Sequence, residues 1–192
     1  ESLGEIRGQV PAKTPFVGYG HRVSFALVLR DALGKTEAAR LAKRTAYDVW
    51  MADQRGCLSP VWAFAQKGGR TRAEDFAALV AKELGHLEKN ERSKPCRTFV
   101  DRVAMRRLED CLKIQALKGK STNFWKSPSG RWMVGYDEYL DTEFSGDSQI
   151  LRVKGFGKLL DLEGVLQKMK GSLQAASLEC APARRKPLAE RL

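Results

Sequence analysis

The sequence predicts an α+β protein that is mainly α: a helical domain of about five helices, followed by a small antiparallel β-hairpin or sheet and a closing C-terminal helix. Three observations carry that expectation. Apolar residues recur at helical spacing through much of 22–117. After residue 120 the pattern changes to short aromatic and β-compatible runs around a Pro-Ser-Gly turn, and helical spacing returns at 162–173. With 192 residues, 43% of them hydrophobic, the chain is long enough to bury a core.

Residues 1–21 hold Gly4, Gly8, Pro11, Pro15, Gly18 and Gly20 without a sustained period, which predicts an extended N-terminal arm. The helical domain is expected over 22–119. Its first helix, 22–33, is drawn from Phe25, Val28, Leu29 and Ala32, with Gly34 as its stop. A second, 36–51, takes Thr36 as N-cap and Ala38, Leu41, Ala42, Thr45 and Val49 as its buried face. It matches a helix-turn-helix only in part, because Lys43 and Arg44 stand where the turn glycine and the next apolar residue belong. The short apolar run 58–66 is assigned to a helix. Phe76, Leu79, Val80, Leu84 and Leu87 define a helix over 72–89, and Thr98 with Asp101 forms a capping box for one over 98–117. Cys111 is placed on the buried side of that last helix.

The 120–176 region is expected to form the β-hairpin plus the C-terminal helix, packed on the helical domain. Strands 122–127 and 131–136 flank Ser127-Pro128-Ser129-Gly130, and 149–153 supplies a third strand. Leu162, Val165, Leu166, Met169 and Leu173 make one helical face behind Asp161. Residues 177–192 are predicted to be a basic tail.

Charge directs the functional expectation. Lys and Arg number 34 against 23 Asp and Glu, a formal charge of +11, as in proteins that bind polyanions. Arg102, Arg106 and Lys113 share one side of the 98–117 helix, and Lys118, Lys120, Lys126 and Arg131 carry positive charge on into the hairpin. Cations there would neutralise phosphate while Trp125 and Trp132 stack on bases. Strand alternation means that the hairpin aromatics cannot all face a ligand. The expected function is therefore nucleic-acid binding, RNA or DNA, as a non-catalytic subunit of a ribonucleoprotein or of a mobile-element or defence complex, with other protein subunits as further partners. Lys154-Gly155-Phe156-Gly157 resembles the opening of the RNA-recognition-motif consensus strand over four residues, after which Lys158-Leu159-Leu160 departs from it.

Two other classes remain open at this stage. A nuclease would use Asp137, Glu138, Asp141, Glu143 and Asp147 around Mg²⁺, or His21 for metal-free RNA cleavage. A protein-interaction scaffold would present the basic face to an acidic partner. No catalytic residue, cofactor or metal ligand is assigned: Cys57, Cys96, Cys111 and Cys180 form no zinc spacing, and neither a Walker loop nor a nucleophile elbow is present. No apolar run is long enough to span a bilayer, and an intracellular setting without membrane partners is expected.

Overall fold

A six-stranded sheet forms the centre of the computed structural model, which describes residues 2–11, 13–16, 22–90, 98–141 and 149–191. In chain order the elements are α1 (Ser2–Gln9), β1 (Val23–Val28), α2 (Lys35–Trp50), β2 (Pro60–Gln66), α3 (Ala73–Asn90), α4 (Phe99–Leu117), β3 (Thr122–Lys126), β4 (Met133–Asp137), β5 (Ile150–Phe156), α5 (Leu159–Lys168), β6 (Leu173–Glu179) and α6 (Pro182–Arg191). The strands lie in the order β3-β4-β5-β2-β1-β6. Only the β3–β4 pair is antiparallel; every other neighbouring pair is parallel. The protein is thus α/β with a mostly parallel sheet. The expectation of a mainly helical domain with a small hairpin is overturned.

The error has a definite physical origin. All six residues of β1 and all seven of β5 are buried, because a parallel sheet is covered by helices on both faces. Such strands read as continuous apolar runs, and Phe25, Val28 and Leu29 happen to fit a helical spacing equally well. The 22–33 segment is therefore β1 followed by a 3₁₀ turn at Arg30–Ala32. The 58–66 segment is β2, not a helix. Lys154, Gly155 and Phe156 are the end of β5, and β6 and α6 occupy most of the stretch expected to be a basic tail. The third strand is present but pairs parallel to β4.

Where one face alone is buried, periodicity succeeds. Helices α2, α3 and α4 fall close to their expected ranges. The α4 capping box forms as expected: Asp101 N–H donates to Thr98 Oγ1 at 3.2 Å, and Thr98 N–H donates to Asp101 Oδ2 at 2.8 Å. The buried face of α4 is Met105, Leu108 and Leu112, which leaves Cys111 exposed. Helix α2 begins one residue before Thr36, with Gly34 as its N-cap.

The sheet separates two helical layers. Ala26, Val28, Ala63, Ala65, Val134, Leu151 and Val153 meet α2 and α3 on one face. On the other, Phe25, Leu27, Trp62, Phe64 and Phe156 meet α5 and α6, while Met133 and Ile150 meet α4. Helix α4 sits so close to β4 that a Cβ on Gly135 would lie 2.9 Å from Leu112 Cδ1.

Between those two apolar patches lies an ionic cluster. Asp137, at the end of β4, is 1% exposed and accepts from Lys154 Nζ at 2.9 Å and from Arg152 at 3.2 Å. Asp141 pairs with Arg152 at 3.1 Å and with Lys154 at 3.3 Å. Burial, together with the nearby positive charge of Arg152, pulls the Lys154 pKa below the ordinary lysine range. Removing Asp137 would take from two buried cations a carboxylate that both of them contact. Asp137→Asn should therefore lower unfolding stability by about 3–5 kcal/mol, read from the urea denaturation midpoint; a change within about 0.5 kcal/mol would refute this role.

Candidate active site

Strain in the backbone marks one place in the molecule. Ala52, Asp53, Gln54 and Gln149 are the non-glycine residues with positive φ among the described residues. Ala52 and Asp53 have φ/ψ of 51/30 and 53/33, and φ is 62 at Gln54 and 61 at Gln149. Each left-handed residue costs of order 1–3 kcal/mol and persists only where its surroundings impose it. All four meet at the N-terminal edge of the sheet, between the end of α2 and the starts of β2 and β5.

The Gln54 side chain does most of the imposing. Its Nε2 donates to the Pro60 carbonyl at 2.6 Å and to the Ile150 carbonyl at 3.0 Å, and its Oε1 accepts from Ile150 N–H at 2.8 Å. Gln149 Nε2 donates to Asp53 Oδ1 at 3.0 Å. The short segment 55–59 that follows is closed by Arg55 N–H to Ala52 O and by Ser59 N–H to Gly56 O. In its middle stands Cys57, an exposed free thiol, whose carbonyl accepts from Ser24 Oγ at 2.6 Å. Two buried polar atoms beside the loop, Trp50 Nε1 and Gln149 Oε1, have no hydrogen-bond partner among the described residues. A cavity of about 870 Å³ opens along α2, bounded at this end by Ser24, Leu58 and Pro60.

The other described cysteines differ. Cys180 is buried, and burial raises its thiol pKa. Cys111 lies on the outer side of α4, where Gln115 Nε2 donates to its Sγ at 3.6 Å. Cys57 alone of these three combines exposure, a fixed main chain and an adjacent cavity. It escaped the sequence-based prediction because 58–66 was assigned to a helix, which hid the helix–loop–strand junction where Gly56 and Pro60 bracket it.

The residues singled out for nucleic-acid contact lie elsewhere, around α4 and the β3–β4 hairpin. Arg106 pairs with Asp110 at 3.0 Å, and Lys113 and Lys126 both donate to Glu109, at 2.5 and 2.8 Å. Arg102 borders a hollow with Arg106, Lys126 and Arg131. The Arg131 guanidinium stacks 3.8 Å from the Trp50 ring centroid, and the Lys120 ammonium sits 5.7 Å from that of Tyr139. Lys118 and Lys120 border a second hollow with Gln115 and Glu138. Trp132 is buried, its Nε1 donating to Glu88 at 3.0 Å, and Trp125 packs against the same core. Glu88 also accepts from Ser127 and Ser129, tying the hairpin turn to α3. Burial pushes its carboxyl up, but those donors and the Arg131 charge outweigh it and hold the pKa below the usual range.

Of the proposed metal-binding acids, Asp137 and Asp141 belong to the buried ionic cluster, and Glu138 pairs with Lys67 at 2.8 Å. Glu143 and Asp147, like His21 and Cys96, lie outside the described residues. Among the described residues no group of three or more His, Cys, Asp or Glu is placed to hold a metal ion. None of the described helices is long and apolar enough to cross a membrane.

A protein-family model described as acyl-CoA reductase (LuxC) matches residues 1–192. The chain belongs to the LuxC acyl-CoA reductase family. No curated protein matches it. Solved structures share the fold. Proline utilization A from Bradyrhizobium japonicum aligns with a TM-score of 0.67 at 12% identity, over 99% of this chain and 20% of that one. A putative methylmalonate-semialdehyde dehydrogenase from Sinorhizobium meliloti 1021, complexed with NAD, gives 0.58 at 13% identity, over 90% and 37%. An NAD-dependent benzaldehyde dehydrogenase from Corynebacterium glutamicum gives 0.55 at 14%, over 89% and 38%. The chain thus spans well under half the length of these structures, and the fold it shares with them is Rossmann-like, of the aldehyde dehydrogenase kind. Membership of a reductase family overturns the expectation of a nucleic-acid-binding subunit of a ribonucleoprotein or defence complex. It also removes nucleic acid as the expected partner, together with the nuclease and scaffold alternatives. The positive charge that prompted them is a poor guide here, because several of the cations concerned are engaged within the fold.

Two outcomes are expected. Hydrogen bonds from Lys113 and Lys126 hold the Glu109 carboxyl at about 2 instead of the usual 4.5, so its ion pairs contribute fully above 4.5 and are lost as pH falls towards 2. Glu109→Gln should accordingly flatten the fall in thermal midpoint across that window; an unchanged slope would contradict the assignment. Gln54→Ala strands Ile150 N–H and should cost about 1–3 kcal/mol in chemical denaturation, while loosening the 51–59 loop so that the exposed Cys57 thiol reacts faster with iodoacetamide; an unchanged rate would contradict the clamp.

Proposed function

We propose that this chain carries the acyl-accepting half of an acyl-CoA reductase, with Cys57 as the nucleophile. The single observation that supports it is the position of an exposed thiol on a strained, side-chain-clamped loop at the edge of a large cavity. Strain of this kind is characteristic of sites where geometry has been fixed in advance. The family description supplies the substrate class.

The chemistry follows from the thiol. The Cys57 thiolate attacks the thioester carbonyl, an S–C bond forms, and collapse of the tetrahedral adduct expels the coenzyme A thiolate, leaving an acyl-cysteine. One thioester is exchanged for another, so the step needs no large driving force. Ser24 acts by anchoring the Cys57 carbonyl, and the Gln54 amide by holding the loop against β2 and β5. An intracellular, reducing compartment is part of this proposal, since the thiol must remain free.

Reduction of the acyl group requires a hydride donor, and NAD is named with the S. meliloti structure. A dinucleotide pyrophosphate normally rests on a glycine-lined turn at a helix N-terminus. The glycines at the corresponding ends of β1 and β2 do not offer that space. A Cβ on Gly34 would lie 2.7 Å from Glu37 Oε2, and one on Gly69 would lie 2.6 Å from Leu33 Cβ and 3.0 Å from the Arg30 carbonyl. The described residues do not fit the dinucleotide at those turns, and no reduction step is assigned to them.

Cys57→Ala, incubated with an acyl-CoA and analysed by intact mass, should show no added acyl group, whereas the wild type gains one that maps to the peptide containing residue 57. Cys111→Ala should leave that labelling unchanged. Acylation of Cys57→Ala to the wild-type extent would overturn the assignment.

A further inference from the structure

We propose that the cavity along α2 binds the phosphate-bearing end of coenzyme A, with Arg40 and Lys43 as its cationic anchors. The inference rests on the assignment of Cys57 as acyl acceptor and extends it from the reacting atom to recognition of the carrier. At one end the cavity meets Ser24, Leu58 and Pro60, the residues around the Cys57 loop; its length is bordered by Arg40, Lys43, Arg44 and Tyr47. These four α2 residues recur at i, i+3, i+4 and i+7, one stripe of the helix, opposite the face that buries Ala38, Leu41, Ala42 and Val49.

The charges along the stripe are unequal. Arg44 pairs with Glu179 at 3.7 Å, and Glu83, which also borders the cavity, faces His86 at 3.6 Å. Arg40 and Lys43 have no carboxylate partner among the described residues. Asp48 is the remaining acid in the cavity wall; burial raises its pKa and the Arg44 charge opposes that rise. Arg40 and Lys43 are thus the cations of the cavity wall left to meet an anion, in contrast to the α4 surface, where Glu109 and Asp110 take up Lys113, Lys126 and Arg106. Tyr47 is 53% exposed, one turn along from Lys43, an aromatic face of the sort on which an adenine ring stacks.

Spacing agrees with this orientation. Arg40 and Lys43 precede the end of α2 by ten and seven residues, which is about 10–15 Å of helix, and the strained turn carrying Cys57 begins where α2 ends. That separation is comparable with the reach of the pantetheine arm that joins the thioester to the phosphates. A cavity of about 870 Å³ also falls within the range that holds drug-sized and cofactor-sized ligands.

The test compares two acyl donors of the same chain length, an acyl-CoA and an acyl-pantetheine that lacks the phosphates and adenosine. Acylation of Cys57 is followed by intact mass at low donor concentration, so that no hydride donor is needed. In the Arg40→Gln/Lys43→Gln double variant the rate with acyl-CoA should fall about 10- to 100-fold, while the rate with acyl-pantetheine stays within about two-fold. Both positions are exposed on α2, and an unchanged acyl-pantetheine rate itself reports an intact site. Equal losses with both donors, or no loss with either, would overturn the cavity assignment and leave Cys57 as acceptor. A wild type acylated by neither donor would sink the acceptor role, and the cavity assignment with it.

Discussion

Three hydrogen bonds from one buried amide connect the strained turn after α2 to the starts of β2 and β5, and the geometry of the candidate site depends on them. Gln54 is 8% exposed and can reach Ile150 only because residues 52–54 adopt left-handed backbone. The cost of that conformation is offset by satisfying a main-chain N–H and two carbonyls at the sheet edge that would otherwise lack partners. The loop consequently leaves α2 along a fixed path. Cys57 is displayed beyond it, with its carbonyl anchored by Ser24 on β1. Strands β1, β2 and β5 therefore all contribute to holding one exposed thiol.

The same sheet accounts for the distribution of charge. Parallel strands buried on both faces leave little room for ionic groups, and those present are compensated. Arg152 and Lys154 point into the layer shared by α4 and α5, where Asp137 and Asp141 neutralise them. A buried pair of this kind contributes little net stability over apolar packing but strongly penalises any arrangement that separates the partners. It thereby fixes how the turn after β4 lies over β5, at the end of the sheet opposite the Cys57 loop.

A net charge of +11 is a property of the whole chain and says little about any one surface. The basic stripe on α4 looked continuous because helical spacing aligned Arg106 and Lys113, yet the same spacing aligned Asp110 and Glu109 to receive them. Lys126 reaches back from β3 to the same Glu109. On α2, Arg40 and Lys43 have no carboxylate partner among the described residues and border a cavity, a distinction that exists only once the helices and strands are assembled.

The sequence by itself determined the helices whose burial is one-sided. The ranges of α2, α3 and α4, the Thr98–Asp101 capping box and the β3–β4 hairpin with its Ser127–Gly130 turn follow from periodicity and local hydrogen-bonding chemistry, which need few distant contacts. Tertiary structure decided the rest. Whether Val23–Val28 and Pro60–Gln66 are strands depends on partner strands 36 or more residues away and on helices that cover both faces, and a run apolar on all sides has no period to disclose this. The candidate site depends still more on assembly. Gln54 meets Ile150 across 96 residues, and Ser24 meets Cys57 across 33, so no local pattern could single out that cysteine from the others. Side-chain chemistry was present in the sequence; the fold supplied the strain, the clamp and the cavity that distinguish Cys57.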